Sequence, residues 1–494
     1  MAPLNTPVPA GGGTRSLVKG GAAGLAGAAV NAASQFLIVV AVTRGLDART
    51  AGCFFTATTL CLMAVGILRL DAGNGLIYFI ARSHGSGYRD VSRFIRAAVV
   101  PVAGVSIAAT AVVVIFADPI GAALMSGAEP AMPGAALTPG PEPATLGPAL
   151  RVLALALPVM VCADVLLSAT RGFGTMRPTV FLGGMLQPGA QLVHVTTLAL
   201  TGVTAGWTLS AAWAAPALPV LVLSALLLHR RLPSGPHIPD CGHRFGQVPE
   251  PGRGFQHAPG PGREFRRVSG SAGEFWRYTA PRALGGAAQA VFQRLDIVIV
   301  AVLAGPEEAA LYTAATRFKV AGQLVNQGFA QAVQPRLVRA MAEGDLRLAR
   351  RLYQTTTMWL VLLTWPVWLG YALLAPWLLR AFGDGYRDGA AVAVVLAATM
   401  MLATACGMVD VVLIAAGHTA SSMANILGAI AVTVALDVVL VPSHGALGAA
   451  LGWSGGMLAK NLLPLFKIAR LYGLRPFGAH SLPSLRPWRP EEAR

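Results

Sequence analysis

The 494-residue chain is 54% hydrophobic and only 12% charged, with a mean hydropathy of +0.60 and a formal net charge of +16. Soluble domains carry about twice that charged fraction and disordered chains are more polar still, so both classes are excluded. A single soluble core is excluded by length, because such cores stop growing at roughly 250–300 residues. An all-α integral membrane protein remains.

Apolar windows of about 20 residues predict the membrane-spanning helices in chain order. After an N-terminal tail at 1–16, the first span covers 17–43. Its length and its Asn31, Ser34 and Gln35 separate it from a signal peptide. The second, 53–81, carries Arg69, Asp71 and Asn74 among Gly66, Gly73 and Gly75. Those glycines predict an interrupted helix, which is tolerated at membrane depth where it lines a cavity. Arg69 and Asp71 are read there as a candidate ion-coupled switch or, alternatively, a structural pair. Spans at 94–116, 150–170, 177–200 and 204–229 complete a six-helix bundle over 17–229, with Asp164 a single acid in the fourth.

Residues 230–273 form a Gly-, Pro- and Arg-rich linker, read as a flexible tether held against anionic headgroups. Beyond it lie spans at 274–303, 309–334, 353–379, 390–416, 420–441 and 446–470. They make a second six-helix bundle over 274–471, followed by a tail at 472–494. Twelve spans result.

With both termini in the cytoplasm, Arg44, Arg49, Arg380 and Arg387 fall outside, while most Lys and Arg fall in the tails and inner loops. The outer loop 117–148 holds Asp118, Glu129 and Glu142 with no Lys or Arg. This asymmetry is the positive-inside rule and explains the net charge without a nucleic-acid partner. Thirty-four Arg against four Lys suggest high-GC coding, hence a bacterial cytoplasmic membrane. The five Cys have no metal-ligand spacing and an odd count, so neither a metal site nor a disulfide framework is expected.

The halves resemble each other. Phe55-Thr56-Ala57-Thr58-Thr59 opens the second span and Tyr312-Thr313-Ala314-Ala315-Thr316 the eighth. Asp90 and Arg96 recur as Asp345 and Arg351, and Leu167-Ser168-Ala169 at the end of the fourth span as Leu413-Ile414-Ala415 at the end of the tenth. Six spans per half make the repeats parallel, about an axis along the membrane normal. Transporters of that construction bind cargo between their halves.

Polar groups at bilayer depth face a cavity or a partner. In the seventh span Arg282, Gln289, Gln293 and Asp296 share one face of a regular helix, with Arg294 roughly 100° from Gln293. In the eighth, Lys319, Gln323 and Asn326 form a stripe flanked by Arg317. Arg282, Gln289, Gln293, Arg294, Arg317, Lys319, Gln323 and Asn326 are therefore the predicted substrate-binding set. Amides with cations suit a phosphate-bearing ligand. Helix–helix hydrogen bonding is the bland alternative for the amides, and snorkelling for Arg317 and Lys319. Asp71, Asp164, Asp296 and Asp410, with Arg69, are candidates for proton or Na+ coupling. No cofactor is expected.

The sequence resembles the polysaccharide-transporter family, flippases for lipid-linked oligosaccharides within the multidrug/oligosaccharidyl-lipid/polysaccharide (MOP) exporter superfamily. The likeness runs over roughly 15–475. It is carried by Leu17-Val18-Lys19-Gly20 through Thr43-Arg44-Gly45-Leu46, by Leu295-Asp296-Ile297-Val298 with Tyr312-Thr313-Ala314-Ala315, and by Gln334-Pro335-Arg336-Leu337 with Glu343-Gly344-Asp345-Leu346. It implies transfer of a polyprenyl-pyrophosphate-linked oligosaccharide to the outer leaflet, in company with polysaccharide-assembly enzymes. The linker 230–273 is longer and more basic than the connection usual in that family. A cation-coupled multidrug exporter is the rival, and would prefer an acidic, aromatic cavity. A membrane-embedded polymerase or ligase would need reactive groups on a large outer loop, and 117–148 offers no His, Arg or Lys.

Overall fold

The computed structural model describes residues 12–82, 88–125, 146–201, 206–231, 272–478 and Ser481. Nearly all of the predicted linker 230–273, most of the outer loop 117–148 and most of both tails lie outside the described residues. The described residues are helical and contain no strand.

Eight helical segments among them are long and apolar enough to cross a membrane, and a ninth is a pair bent by 47°. Followed leg by leg, the helices trace the twelve predicted spans. The first half comprises α1 (Gly12–Gly45), α2 (Ala48–Leu68) with α3 (Ala72–Arg82), α4 (Tyr88–Ile115) and α6 (Leu146–Gly172). A π-helical turn (Thr179–Leu186) leads into α7 (Gln187–Leu200), and α8 (Gly206–Ala214) continues into α9 (Ala217–His229). A short helix, α5 (Ala117–Met125), caps one end. The second half comprises α10 (Ala272–Phe292) with α11 (Leu295–Leu303), and α12 (Pro306–Thr316) with α13 (Lys319–Ala342). Then follow α14 (Leu346–Leu379), α15 (Ala390–Ala405) with α16 (Val409–Ala415), and α17 (Thr419–Tyr472).

At about 1.5 Å per residue, the 54-residue α17 would be roughly 80 Å long, more than twice a bilayer's hydrocarbon core. It folds back at Gly445, whose φ of 52° and ψ of −130° suit a residue without Cβ. Glu308 accepts the Ala446 N–H at 2.8 Å and so caps the returning leg. His418 meets Tyr472 at 2.9 Å across the two far ends, which fixes the legs as an antiparallel hairpin.

In the first half α6 is central and packs against α2, α3, α4, α8 and α9; in the second, α17 packs on α11, α15 and α16. The halves meet most extensively where α2 lies on α12. A Cβ at Gly52 would overlap the Pro306 carbonyl, so this close approach requires glycine.

At the end where α1 stops and α2 begins, here the Asp47 end, Arg44 reaches across the halves. It donates to the carbonyls of Ala381 (2.7 Å) and Arg380 (2.9 Å) just past α14. Beneath it Phe36 of α1 sits edge-on to Phe318 and Phe382 of the other half. At the opposite, Arg82 end, Tyr78 stacks on Tyr278 with ring centroids 4.5 Å apart. Trp276 donates to the Ala97 carbonyl at 2.9 Å, tying α10 to α4.

Candidate functional site

Three interior lobes of about 630, 280 and 230 Å³ share Leu62 and Arg294 among their lining residues. The largest lies between α1, α2, α6, the π-helical turn and α10. The smallest reaches into the second half, to Trp453 and Lys460 of the returning leg of α17.

Two legs around this space are broken, and a third changes its hydrogen bonding at Arg317–Phe318 while its backbone stays helical. Each of these points carries an arginine. α2 stops at Leu68 and its cap residue is Arg69. Leu70 and Asp71 follow with φ of 49° and 54°, two consecutive left-handed residues that are not glycine. Such a conformation costs of order 1–2 kcal/mol per residue and persists only when its surroundings enforce it. The predicted interruption is therefore present, but it falls between the glycines instead of on them. α10 yields to α11 at Gln293–Arg294, and α12 yields to α13 at Arg317–Phe318. A basic group at the carboxyl end of α2 and of α12 also complements the helix dipole there.

The breaks redistribute the predicted side chains. Gln289, Gln293, Arg294, Arg317 and Lys319 all line the cavity lobes. Arg282 does not: it lies towards the Arg82 end, half exposed, with Nε 3.0 Å from Asp71 Oδ2 and its guanidinium over Tyr278. The expected Arg69–Asp71 pair is therefore not formed. Asp71 joins the two halves through Arg282 and accepts from Asn74 at 2.6 Å, while Arg69 faces Asp164 at 3.7 Å. Asp296, predicted to share a face with Gln289, lies beyond the break and is buried. It accepts from the Tyr312 hydroxyl (2.8 Å) and its neighbour's amide (3.0 Å), with Lys319 Nζ at 3.7 Å. Lys319 does not snorkel, because its ammonium sits 4.0 Å from the Trp453 ring centre. Asn326 is exposed, and the Gln323 side chain lies outside the described residues. Asp410 meets Lys460 at 3.7 Å, and Lys460 also donates to Gln289 at 3.4 Å.

Other lining residues were not singled out by sequence. Arg171, read as a loop charge, faces the largest lobe, donates to Ser168 at 2.6 Å and has a buried Nε with no partner. Asn31, Gln35, Gln187 and Gln191 add amides, with Gln35 donating to Gln191 at 3.3 Å. The usable signal for Arg171 was its place in the last turn of an apolar helix.

The charge balance of the lining follows. Arg69, Arg171, Arg294, Arg317, Lys319 and Lys460 line the lobes against one carboxylate, Asp164. Lys319 and Lys460 are partly neutralised from behind by Asp296 and Asp410. Arg317 has a buried Nε with no partner, within electrostatic reach of Arg294. Arg294 has Asp296 within electrostatic reach, and Arg317 has no carboxylate in reach among the described residues. The two adjacent guanidiniums therefore make an anion locus with a surplus of positive charge at low dielectric. Among the described residues no group of His, Cys, Asp and Glu could hold a metal ion.

No protein-family model and no curated protein sequence matches the chain. Solved structures do match its fold. An inward-facing multidrug resistance MATE family transporter of the MOP superfamily aligns with a TM-score of 0.66 at 16% identity, over 90% of this chain and 95% of that one. The lipid II flippase MurJ in an inward closed conformation gives a TM-score of 0.67 at 11% identity, over 91% and 87%. An outward-facing MATE family transporter gives 0.57 at 16% identity, over 93% and 96%. The chain thus has the fold of MOP-superfamily transporters and lies nearer these inward states than this outward one.

Proposed function

We propose that the protein is a flippase for a polyprenyl-diphosphate-linked oligosaccharide, working by alternating access between its two halves. The observation that carries this reading is the lining: six basic side chains and one acidic one around a space between the halves. A diphosphate is an anion that forked guanidiniums bind well, and Arg294 with Arg317 is its assigned seat. The amides of Asn31, Gln187, Gln289 and Gln293 suit sugar hydroxyls next to it. The likeness to a lipid II flippase supports a lipid-linked cargo, while the likeness to multidrug exporters supports the transport cycle alone. A cationic cavity repels the cationic drugs that the multidrug alternative requires.

The positive-inside distribution of Lys and Arg supports an orientation with both termini on the cytoplasmic side of a bacterial cell membrane. In this reading Asp71, Asp164, Asp296 and Asp410 each hold a cationic side chain in the present state. Coupling proceeds by exchange of those partners for a proton or Na+ as the halves rock.

The test is leaflet-specific accessibility of a fluorescent polyprenyl-diphosphate oligosaccharide in proteoliposomes. Wild type transfers the lipid to the far leaflet, and Arg294→Ala and Arg317→Ala each slow transfer at least tenfold. Absence of transfer by wild type, together with cation-driven dye export, would replace this reading with the multidrug one.

A further inference from the structure

Among the described residues, the one carboxylate in the cavity lining sits where an anionic cargo would lie. Asp164 is on α6, facing the largest lobe. Its Oδ2 is 3.7 Å from Arg69 Nη1, beyond hydrogen-bond distance, and both side chains are 43% exposed. Arg171 lies within electrostatic reach of Asp164 and Arg69. It is held by Ser168, whose own hydroxyl donates to the Asp164 carbonyl at 2.9 Å. Arg294 is in reach of Arg69 as well. Asp164 is therefore the local counter-charge to Arg69 and Arg171, while Asp296 serves Arg294, and Asp164 is loosely held.

A loosely held internal anion has one further consequence for an anionic ligand. A phosphate group approaching Arg69 and Arg171 is repelled by Asp164 and competes with it for Arg69. We infer that Asp164 is a built-in competitor of the transported anion. It occupies Arg69 when the cavity is empty, yields it on loading, and retakes it on release. This rests on the diphosphate-lipid reading and adds to it a residue that limits affinity so that cargo can leave. Conduction through any charged pathway needs that balance, since a site too strong to empty does not turn over.

The competition has a signature that a purely structural role lacks. Repulsion scales with ligand charge, so removing the carboxylate helps a diphosphate more than a monophosphate. An exposed ion pair is weak, which sets the size of the gain at about fivefold for a diphosphate.

The experiment measures binding of geranyl diphosphate, geranyl monophosphate and inorganic pyrophosphate to the purified full chain by calorimetry. Wild type, Asp164→Asn and the remote control Asp118→Asn are compared, with thermal unfolding checking that each is folded. The expected result for Asp164→Asn is geranyl diphosphate bound about fivefold tighter, a smaller gain for the monophosphate, and slower lipid transfer at saturating cargo. Asp118→Asn binds as wild type does. Equal gain with inorganic pyrophosphate assigns the competition to the diphosphate group itself; gain restricted to the geranyl ester assigns it to the lipid-borne form. Unchanged or weaker diphosphate binding by a folded Asp164→Asn overturns the inference and leaves the flippase reading standing. Wild type that binds none of the three probes overturns both.

Discussion

Two acid–base pairs in this molecule have the same length and opposite characters. Arg69–Asp164 and Lys319–Asp296 both measure 3.7 Å. In the first, each side chain is 43% exposed. In the second the exposures are 12% and 1%, and Tyr312 and Trp453 enclose the pair. Separation does not set the strength of such a pair; desolvation does. An exposed pair is screened and contributes little, whereas a buried one becomes costly as soon as either member is removed. One half of the protein therefore presents an exchangeable contact to the cavity, and the other an inward-facing knot that fixes α11 to α12 and α13.

The largest effect should come from cutting the knot. Lys319→Met leaves Asp296 buried beside one hydroxyl and one amide, and should destabilise the protein by about 3–5 kcal/mol, read from thermal unfolding in detergent. The double variant Lys319→Met/Asp296→Asn should recover most of that loss. If it does not, the ammonium acts through Trp453 and packing, and the comparison fails. Next in size is Arg294→Ala, which removes the basic residue common to all three lobes. Loss of charge-assisted hydrogen bonds worth about 1.5–3 kcal/mol should weaken diphosphate binding by roughly ten- to a hundredfold while unfolding changes little.

A smaller effect is expected at the Asp47 end. Arg44→Ala removes two exposed hydrogen bonds between the halves, worth about 1 kcal/mol in total, and should broaden the spin-label distance distribution between the ends of α1 and α14. An unaltered distribution would show that the Phe36–Phe318–Phe382 contact closes that end unaided. Smallest is Arg69→Gln, expected to change unfolding by less than about 1 kcal/mol because its pair with Asp164 is exposed. A larger loss would make the two pairs alike.

The overall plan was legible because it rests on length and apolarity: windows of about 20 residues located all twelve legs. The Gln- and Arg-bearing interior was legible because polar groups are rare at that depth. The partners were not. Placing Arg282, Gln289, Gln293 and Asp296 on one face assumes an unbroken helix, and the 47° bend at Gln293–Arg294 ends the regular rotation before Asp296 is reached. Arg294, which a regular helix would carry roughly 100° from Gln293, lines the same lobes as Gln289 and Gln293. Glycine placement misled in a similar way, because the second-span break is made by Leu70 and Asp71. Asp visits positive φ more readily than Leu does, and Asp71 is held there by Asn74 locally and Arg282 from the other half; nothing local favours it at Leu70.

Arg69, Arg294 and Arg317 also bear on how the chain enters the membrane. An arginine near the middle of a span costs about 2.5–3.5 kcal/mol during insertion, and interrupted helices leave backbone groups without partners in lipid. The leg formed by α12 and α13 lacks the hydropathy to cross by itself, in contrast to α14 directly after it. Its stable placement requires neighbours already in position, with α2 against Pro306 and α17 supplying Trp453 to Lys319. Since α17 follows α12 and α13 in the chain, Lys319 and Arg317 wait in an incomplete bundle until that hairpin is made. The same residues that read as a cargo site make the arrival of the α17 hairpin the step that commits the α12–α13 leg to the bilayer.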